Sequence, residues 1–158
     1  MKVLRDRLRP AGRLSVGPAR PDEAPAIGDI LSDWIDETDW MPRIHRRDEE
    51  QGFAAELVRR GWVSVARRGG AVQGFLARDG HEVVALYVAR GARGQGVGRR
   101  LIERAQRRAA RLELWTFQFN HAARSFYEGH GFIEVARTGG ARNDEKLPDI
   151  KYLWEKRR

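Results

Sequence analysis

From Leu86 to Ile102 the chain passes from a short apolar stretch into a run punctuated by Gly91, Gly94, Gly96 and Gly98, and then into a helical pattern. A strand, a tight loop and a helix in immediate succession constrain everything around them. Glycine adopts backbone conformations closed to other residues and lacks the Cβ that would hold a ligand away. The first N–H groups of the following helix have no intrahelical acceptor, and the macrodipole adds partial positive charge there. The loop is therefore expected to cradle a phosphate or pyrophosphate.

Two common phosphate loops are excluded by spacing. A Walker loop needs Lys and then Ser or Thr after its second glycine. Gly91 and Gly96 have the separation, but Val97 and Gly98 follow them. The dinucleotide fingerprint would continue Gly94 and Gly96 with a glycine where Arg99 stands. It would also need an acidic residue roughly twenty positions on, and Glu113, the nearest, lies in a strand pattern.

What fits is Arg93-x-x-Gly96-x-Gly98. One helix and one strand later comes a second pattern, Asn-x-x-Ala-x-x-Phe-Tyr-x-x-x-Gly-Phe, carried by Asn120, Ala123, Phe126, Tyr127, Gly131 and Phe132. Over residues 75–135 the pair resembles the GNAT superfamily of N-acetyltransferases. The resemblance implies acetyl-CoA as co-substrate, no metal, and an α/β fold with a mixed, mostly antiparallel sheet flanked by helices on both faces. It implies a cofactor site built from Arg93, Gly94, Gln95, Gly96, Val97, Gly98 and Arg99, joined by Asn120 and Phe126. A backbone N–H among Leu86, Tyr87 and Val88, with Val88 favoured, would face the oxyanion. Tyr127 matches the family's proposed general acid beside the CoA sulfur, and Glu82 matches the glutamate base of its histone-type branch. Each also has a plain structural reading: Tyr127 as core, Glu82 as an exposed strand-end carboxylate, Asn120 as a helix N-cap.

The chemistry itself asks for such groups. With an amine pKa near ~10, about one acceptor molecule in a thousand is neutral at pH 7, a deficit of roughly 4 kcal/mol. A base therefore helps, directly or through water. The thiol leaving group, with a pKa of about 8.5, needs an acid less urgently. The tetrahedral oxyanion needs a fixed donor. Because the sequence has no cysteine, no thiolate can carry the acetyl group, and direct transfer in a ternary complex is expected. For the acceptor, Asp36, Glu37, Asp39 and Trp40 form one acidic and aromatic cluster, and Asp144, Glu145 and Asp149 another. Both suit an ammonium group, with Trp40 adding a cation–π contact. Small amines and protein or peptide amines both stay open.

Periodicity orders the elements as β-α-α-β-β-β-α-β-α-β-β. Strands are expected over 13–19, 62–67, 71–78, 81–89, 112–119, 132–138 and 150–155. Helices are expected from Pro21 to about Ile35, over 47–60 with Phe53, Leu57 and Val58 inward, over 95–110, and over 121–129. A basic arm, 1–12, is expected to fray, and 13–158 to form a single acetyltransferase domain.

The net charge of +8 raises nucleic acid as a partner. However, Arg99, Arg100, Arg104, Arg107, Arg108 and Arg111 fall on the face of one helix opposite Leu101, Ile102, Ala105 and Ala109, as a solvated face would. Arg99 or Arg100 could serve the cofactor's phosphates. No nucleic-acid signature accompanies them, so none is expected to bind. The histidines lack paired metal-ligand spacing. No apolar run reaches a membrane span, and no secretory pattern opens the chain. A cytoplasmic enzyme is the simplest class, and a homodimer stays open. The readings from other classes are an acyl-CoA-binding sensor without turnover and, behind it, an arginine-rich nucleic-acid-binding module.

Overall fold

A computed structural model describes residues 12–157. The expected basic arm, apart from Gly12, lies outside them. Along the chain the elements are β1 (Ser15–Pro18), α1 (Ala24–Glu37) after a 3-10 turn, α2 (Arg47–Arg59), β2 (Val63–Arg68), β3 (Ala71–Asp79) and β4 (Glu82–Val88). A 3-10 turn at Arg90–Ala92 leads to α3 (Val97–Arg108), β5 (Arg111–Phe117), α4 (His121–Gly129), β6 (Ile133–Thr138) and β7 (Asp149–Glu155). The order agrees with the one read from periodicity.

Among the described residues the strands form one sheet in the order β1-β2-β3-β4-β5-β7-β6. β4 and β5 run parallel, and every other neighbouring pair is antiparallel. Gly69 and Gly70, with φ of 58° and 78°, supply the left-handed turn that a tight β2–β3 hairpin demands. Parallel neighbours need a crossover. The glycine loop and α3 provide it, which fixes the loop at the end of β4.

Helices cover both faces. On one, Ile27 and Leu31 of α1 and Ala54 and Leu57 of α2 pack on Val65, Phe75, Ala77 and Ala85. On the other, Val97, Leu101, Ile102 and Ala105 of α3 pack with Leu76, Leu112, Leu114 and Ile150. The two helices after the glycine loop therefore share a face, and Gly74 lets them close on the sheet. A Cβ there would lie 2.8 Å from a Val97 methyl.

Two expectations shift. α3 begins at Val97 rather than 95, because Gly96 takes φ of 82° and serves as the N-cap. The phase of α2 also differs. Phe53, expected inward, is 48% exposed, while Glu50, Ala54 and Leu57 are buried. The cause is a polar clamp. Glu50, 4% exposed, accepts hydrogen bonds from Ser32 Oγ at 2.6 Å and from Arg43 Nη1 at 2.7 and 2.9 Å. Arg43 also donates to the Ser32 carbonyl at 3.1 Å. This turns the Glu50 side of the helix inward and fastens α1, α2 and their connecting loop together.

Removing that carboxylate should expose its worth. Glu50→Ala leaves Ser32 and the Arg43 guanidinium without their acceptor, and losing charge-assisted hydrogen bonds of this kind costs about 2–3 kcal/mol. Thermal unfolding should show a Tm lower by several degrees. An unchanged Tm would mean that the clamp does not hold the two helices.

Candidate active site

β4 and β5 pair at one position, Glu82 opposite Glu113, supported by the Glu113 N–H donating to the His81 carbonyl at 2.8 Å. Beyond it the strands diverge. β4 continues through Val88, about 20 Å from Glu82 at the usual rise per residue. The gap opens into a cleft of about 610 Å³ between β4, the glycine loop and α4. The Ala89 N–H donates to the Gln73 carbonyl of β3 at 2.8 Å. Backbone groups alternate sides along a strand, so Tyr87 also spends its backbone on β3, while Leu86 and Val88 turn theirs toward the gap. Of the three expected donors, Leu86 and Val88 therefore offer N–H groups to the cleft. Tyr87 contributes its side chain instead.

The glycine loop forms one wall. Gly94, Gly96, Val97, Gly98, Arg93 and Arg99 all line the cleft. Gly94 and Gly96 have φ of 73° and 82°, and a Cβ on either would meet open space. Val97 and Gly98 open α3, so their N–H groups precede any intrahelical acceptor. Gly98 has a second duty: a Cβ there would lie 3.3 Å from the Phe126 ring, so glycine lets α3 and α4 approach. Gln95 does not line the cleft. Its side chain accepts from Arg68 at 2.6 Å and donates to the Gly91 carbonyl at 3.1 Å, bracing the loop from outside. Arg100 likewise turns away and donates to the Leu14 carbonyl at 3.3 Å.

The opposite wall is α4. Asn120 caps it, its Oδ1 accepting from the Ala123 N–H at 3.0 Å, and also lines the cleft. Phe126, Tyr127 and His130 follow on the same face. Tyr127 is 7% exposed and its ring packs 5.4 Å from Phe132. Burial, and then the neighbouring Tyr87 phenol, hold its hydroxyl well above the ordinary tyrosine range. Tyr127 is thus both a core residue and a cleft residue. His130, stacked 4.6 Å from Phe126, has its pKa lowered by burial and by Arg99, against the pull of Glu103.

The remaining predicted residues separate. Glu82 stands exposed at the closed end of the gap and does not line the cleft. Its spacing from Arg93 matches the glutamate of the histone-type branch, but the strands are still paired at that depth. Asp36 is held by Arg43 and by Arg47 at 2.5 Å, turned toward α2. Glu37, 18% exposed in its side chain, pairs with Arg93 and lies 3.9 Å from Arg90, so it braces the glycine loop. Asp39 is exposed in the turn after α1. Trp40 joins an aromatic group at the open end, 5.8 Å from Trp34 and from Phe117 and 6.2 Å from Phe119. Trp34 packs 5.1 Å from Tyr87. Glu145 is half-buried and near enough to Tyr87 that its charge, after burial, helps push that hydroxyl up to about 12. Trp34, Phe117 and Phe119 were not singled out in the sequence, where they read as ordinary apolar positions of a helix and a strand.

With this geometry in place, the comparison with known proteins decides the family. A family model described as an acetyltransferase (GNAT) domain matches residues 49–134. The chain belongs to this family. It is 30% identical over 129 residues to the peptidyl-lysine N-acetyltransferase YjaB of Escherichia coli, covering 79% of this chain and 86% of that protein. It is 38% identical over 97 residues to the 5-NmdU N-acetyltransferase of Pseudomonas phage PaMx11, covering 56% of this chain and 69% of that one. The fold matches the solution structure of apo YjaB with a TM-score of 0.75 at 24% identity, covering 90% and 97% of the chains. It matches YncA of Salmonella typhimurium, solved with its cofactor acetyl-CoA, at 0.70 and 19%, covering 93% and 96%. The protein is an N-acetyltransferase of the GNAT type. Among the described residues no helix is long and apolar enough to cross a membrane, and no cluster of metal-ligating side chains occurs.

The glycine wall yields a direct test. Gly96→Asp adds a Cβ where space is open and a negative charge where pyrophosphate is expected; its left-handed φ of 82° costs about 1–2 kcal/mol, which Asp tolerates better than most residues, so the fold should persist somewhat destabilised. Acetyl-CoA affinity should fall at least tenfold, about 1.4 kcal/mol, by calorimetry. An unchanged affinity in a folded variant would remove the loop from the cofactor site.

Proposed function

We propose that this chain transfers acetyl from acetyl-CoA directly to a primary amine on an extended alkyl arm, peptidyl-lysine being the leading case, within a ternary complex. The observation that carries the reading is the splay of β4 from β5. It leaves the N–H groups of Leu86 and Val88 and the Leu86 C=O facing a cleft beside the glycine cradle, while the Val88 C=O accepts from Arg93 Nε at 3.3 Å. The bare N–H groups of the cradle suit the pyrophosphate; Arg93 and Arg99 line it as well, but each also holds a carboxylate, Glu37 and Glu103. The unpaired strand edge suits the amides of the pantetheine arm, which would add to the sheet as a peptide does.

The thioester supplies the acetyl group; the protein supplies position, donors and charge. The N–H of Val88 or Leu86 faces the oxygen that becomes negative during transfer. Tyr127 lies across the gap. Because burial raises its pKa, it stays protonated throughout the working range and acts as a donor rather than a base. Even an unshifted phenol, about 1.5 units above the thiol, would lose roughly 2 kcal/mol by giving up its proton to the thiolate. Tyr127 therefore stabilises the leaving sulfur by hydrogen bonding.

The acceptor would enter at the open end, where Trp34, Trp40, Tyr87, Phe117 and Phe119 favour an alkyl chain and attract its ammonium. Glu145 adds the carboxylate. Asp36 and Glu37 are already neutralised by arginines, which leaves the exposed Asp39 and the half-buried Glu145, beside Tyr87, to guide the cation. Deprotonation then runs through solvent rather than through Glu82. YjaB is named for peptidyl-lysine and the phage protein for a nucleoside amine, so the acceptor is decided by assay. Acetyl-CoA-dependent thiol release should be measured with a blocked lysine peptide, spermidine and an aminomethyl nucleoside. Fastest turnover on the peptide supports the reading, and tight acetyl-CoA binding without release on any amine would make the chain a sensor.

Tyr127→Phe removes one hydroxyl from an otherwise unchanged pack. Removing one fixed donor to a developing anion typically costs about 10²- to 10³-fold in kcat, and the weak basicity of the thiolate points to the low end. We expect kcat about a hundredfold lower with an unaltered KM for acetyl-CoA; parent-like kcat would make Tyr127 purely structural. Glu145→Gln should raise KM for the amine several-fold and leave KM for acetyl-CoA alone, and added salt should shrink the difference by screening. Equal amine KM values would release Glu145 from the acceptor site.

A further inference from the structure

A second concavity, of about 240 Å³, lies on the α3 face of the sheet, away from the cleft. Its floor is the start of β2, and Arg78 of β3 with Arg104 and Arg108 of α3 stand around it. Arg104 is half-buried and donates to Ser64 Oγ at 2.7 Å. Arg78 donates to the Gly80 carbonyl at 2.7 Å. Among the described residues no carboxylate lies within ion-pair distance of any of the three. Other arginines of the chain also lack a carboxylate partner, but these three stand around one concavity, whereas Arg43, Arg47, Arg67 and Arg93 each hold a carboxylate. Arg108 sits at the C-terminal end of α3, where the helix dipole favours a cation. That does not account for Arg78 on a strand or for Arg104 further back along the helix.

Three cations converging on one concavity repel each other, and the partial burial of Arg78 and Arg104 weakens the screening by water. The Arg104 guanidinium shows this: burial, and then Arg108, Arg107 and Arg78, all lower its pKa. The lining is mostly polar, with a hydroxyl at its base and guanidinium N–H groups left for an acceptor. Guanidinium forks match phosphate oxygens in pairs. The concavity, of about 240 Å³, is large enough for a phosphate group.

We propose that this pocket is a second anion site, distinct from the acetyl-transfer cleft, that takes a phosphate dianion, either inorganic or carried by a small phosphate monoester. Arg78, Arg104 and Arg108 would hold its oxygens, and Ser64 would fix the orientation of Arg104.

The test uses the full chain saturated with CoA, so that the cradle cannot compete. Inorganic phosphate is titrated at constant ionic strength while the Ser64 amide and Trp62 indole signals are followed by NMR. Glycerol 3-phosphate in a second titration separates free phosphate from a monoester. We expect saturable shifts at these positions with either probe, and affinity at least tenfold lower in Arg104→Gln and in Arg78→Gln. Retained CoA binding in the variants reports that they are folded. Shifts that never saturate, that chloride reproduces, or that survive both substitutions would overturn the proposal. So would tighter binding of a short DNA duplex with shifts spread along the whole of α3, since that would mean a general polyanion surface.

Discussion

The rest of the molecule is organised around a sheet that fails to close. β4 and β5 share one paired position and then separate, leaving strand-edge N–H and C=O groups in a half-enclosed cleft. Such groups cost about 1–3 kcal/mol each when neither protein nor water satisfies them. A ligand with amides of its own can restore those bonds. The fold thus trades part of a sheet ladder for a binding edge. The crossover between parallel strands brings the glycine loop and the N-terminus of α3 to the same opening, so the anion cradle and the unpaired edge are products of one connection.

Charge is distributed with similar economy. The end of α1 and the start of α2 are rich in carboxylates, but Asp36 and Glu50 hold Arg43 of the loop between them, and Glu37 holds Arg93 of the glycine loop. These pairs fasten the lobe over the cleft rather than leaving negative charge within it. In the proposed reading, the acceptor end combines the aromatic group around Trp34 and Tyr87 with Glu145, while the cofactor end presents the bare N–H groups of the glycine loop. The two ends of one cleft differ in electrostatic character, as transfer from a polyanionic donor to a cationic acceptor requires.

Glycines, caps and periodicity made the element order, the cradle and the α4 wall legible in the sequence. Gly94, Gly96 and Gly98 have few physical explanations other than special φ or close approach, and Asn120 at a helix start has few other than a cap. The acidic residues were ambiguous for the opposite reason. A carboxylate can pair with any of the many arginines, and nothing local says which. Glu82 shows the limit from another side. Its distance along the strand was right, but whether β4 and β5 are still joined at that depth depends on a partner strand some thirty residues later.

What the sequence by itself determined, then, was what neighbours within a few turns set: which segments fold as strand or helix, and which residues form the glycine loop ahead of α3. The tertiary structure decided what depends on two distant segments meeting. It turned Leu86 and Val88, rather than Tyr87, toward the gap, buried Glu50 in place of Phe53, and gathered Trp34, Trp40, Phe117 and Phe119 at the mouth. Backbone preference is a property of a few consecutive residues, whereas strand pairing, ion-pair choice and cleft lining are fixed only when packing brings remote surfaces together.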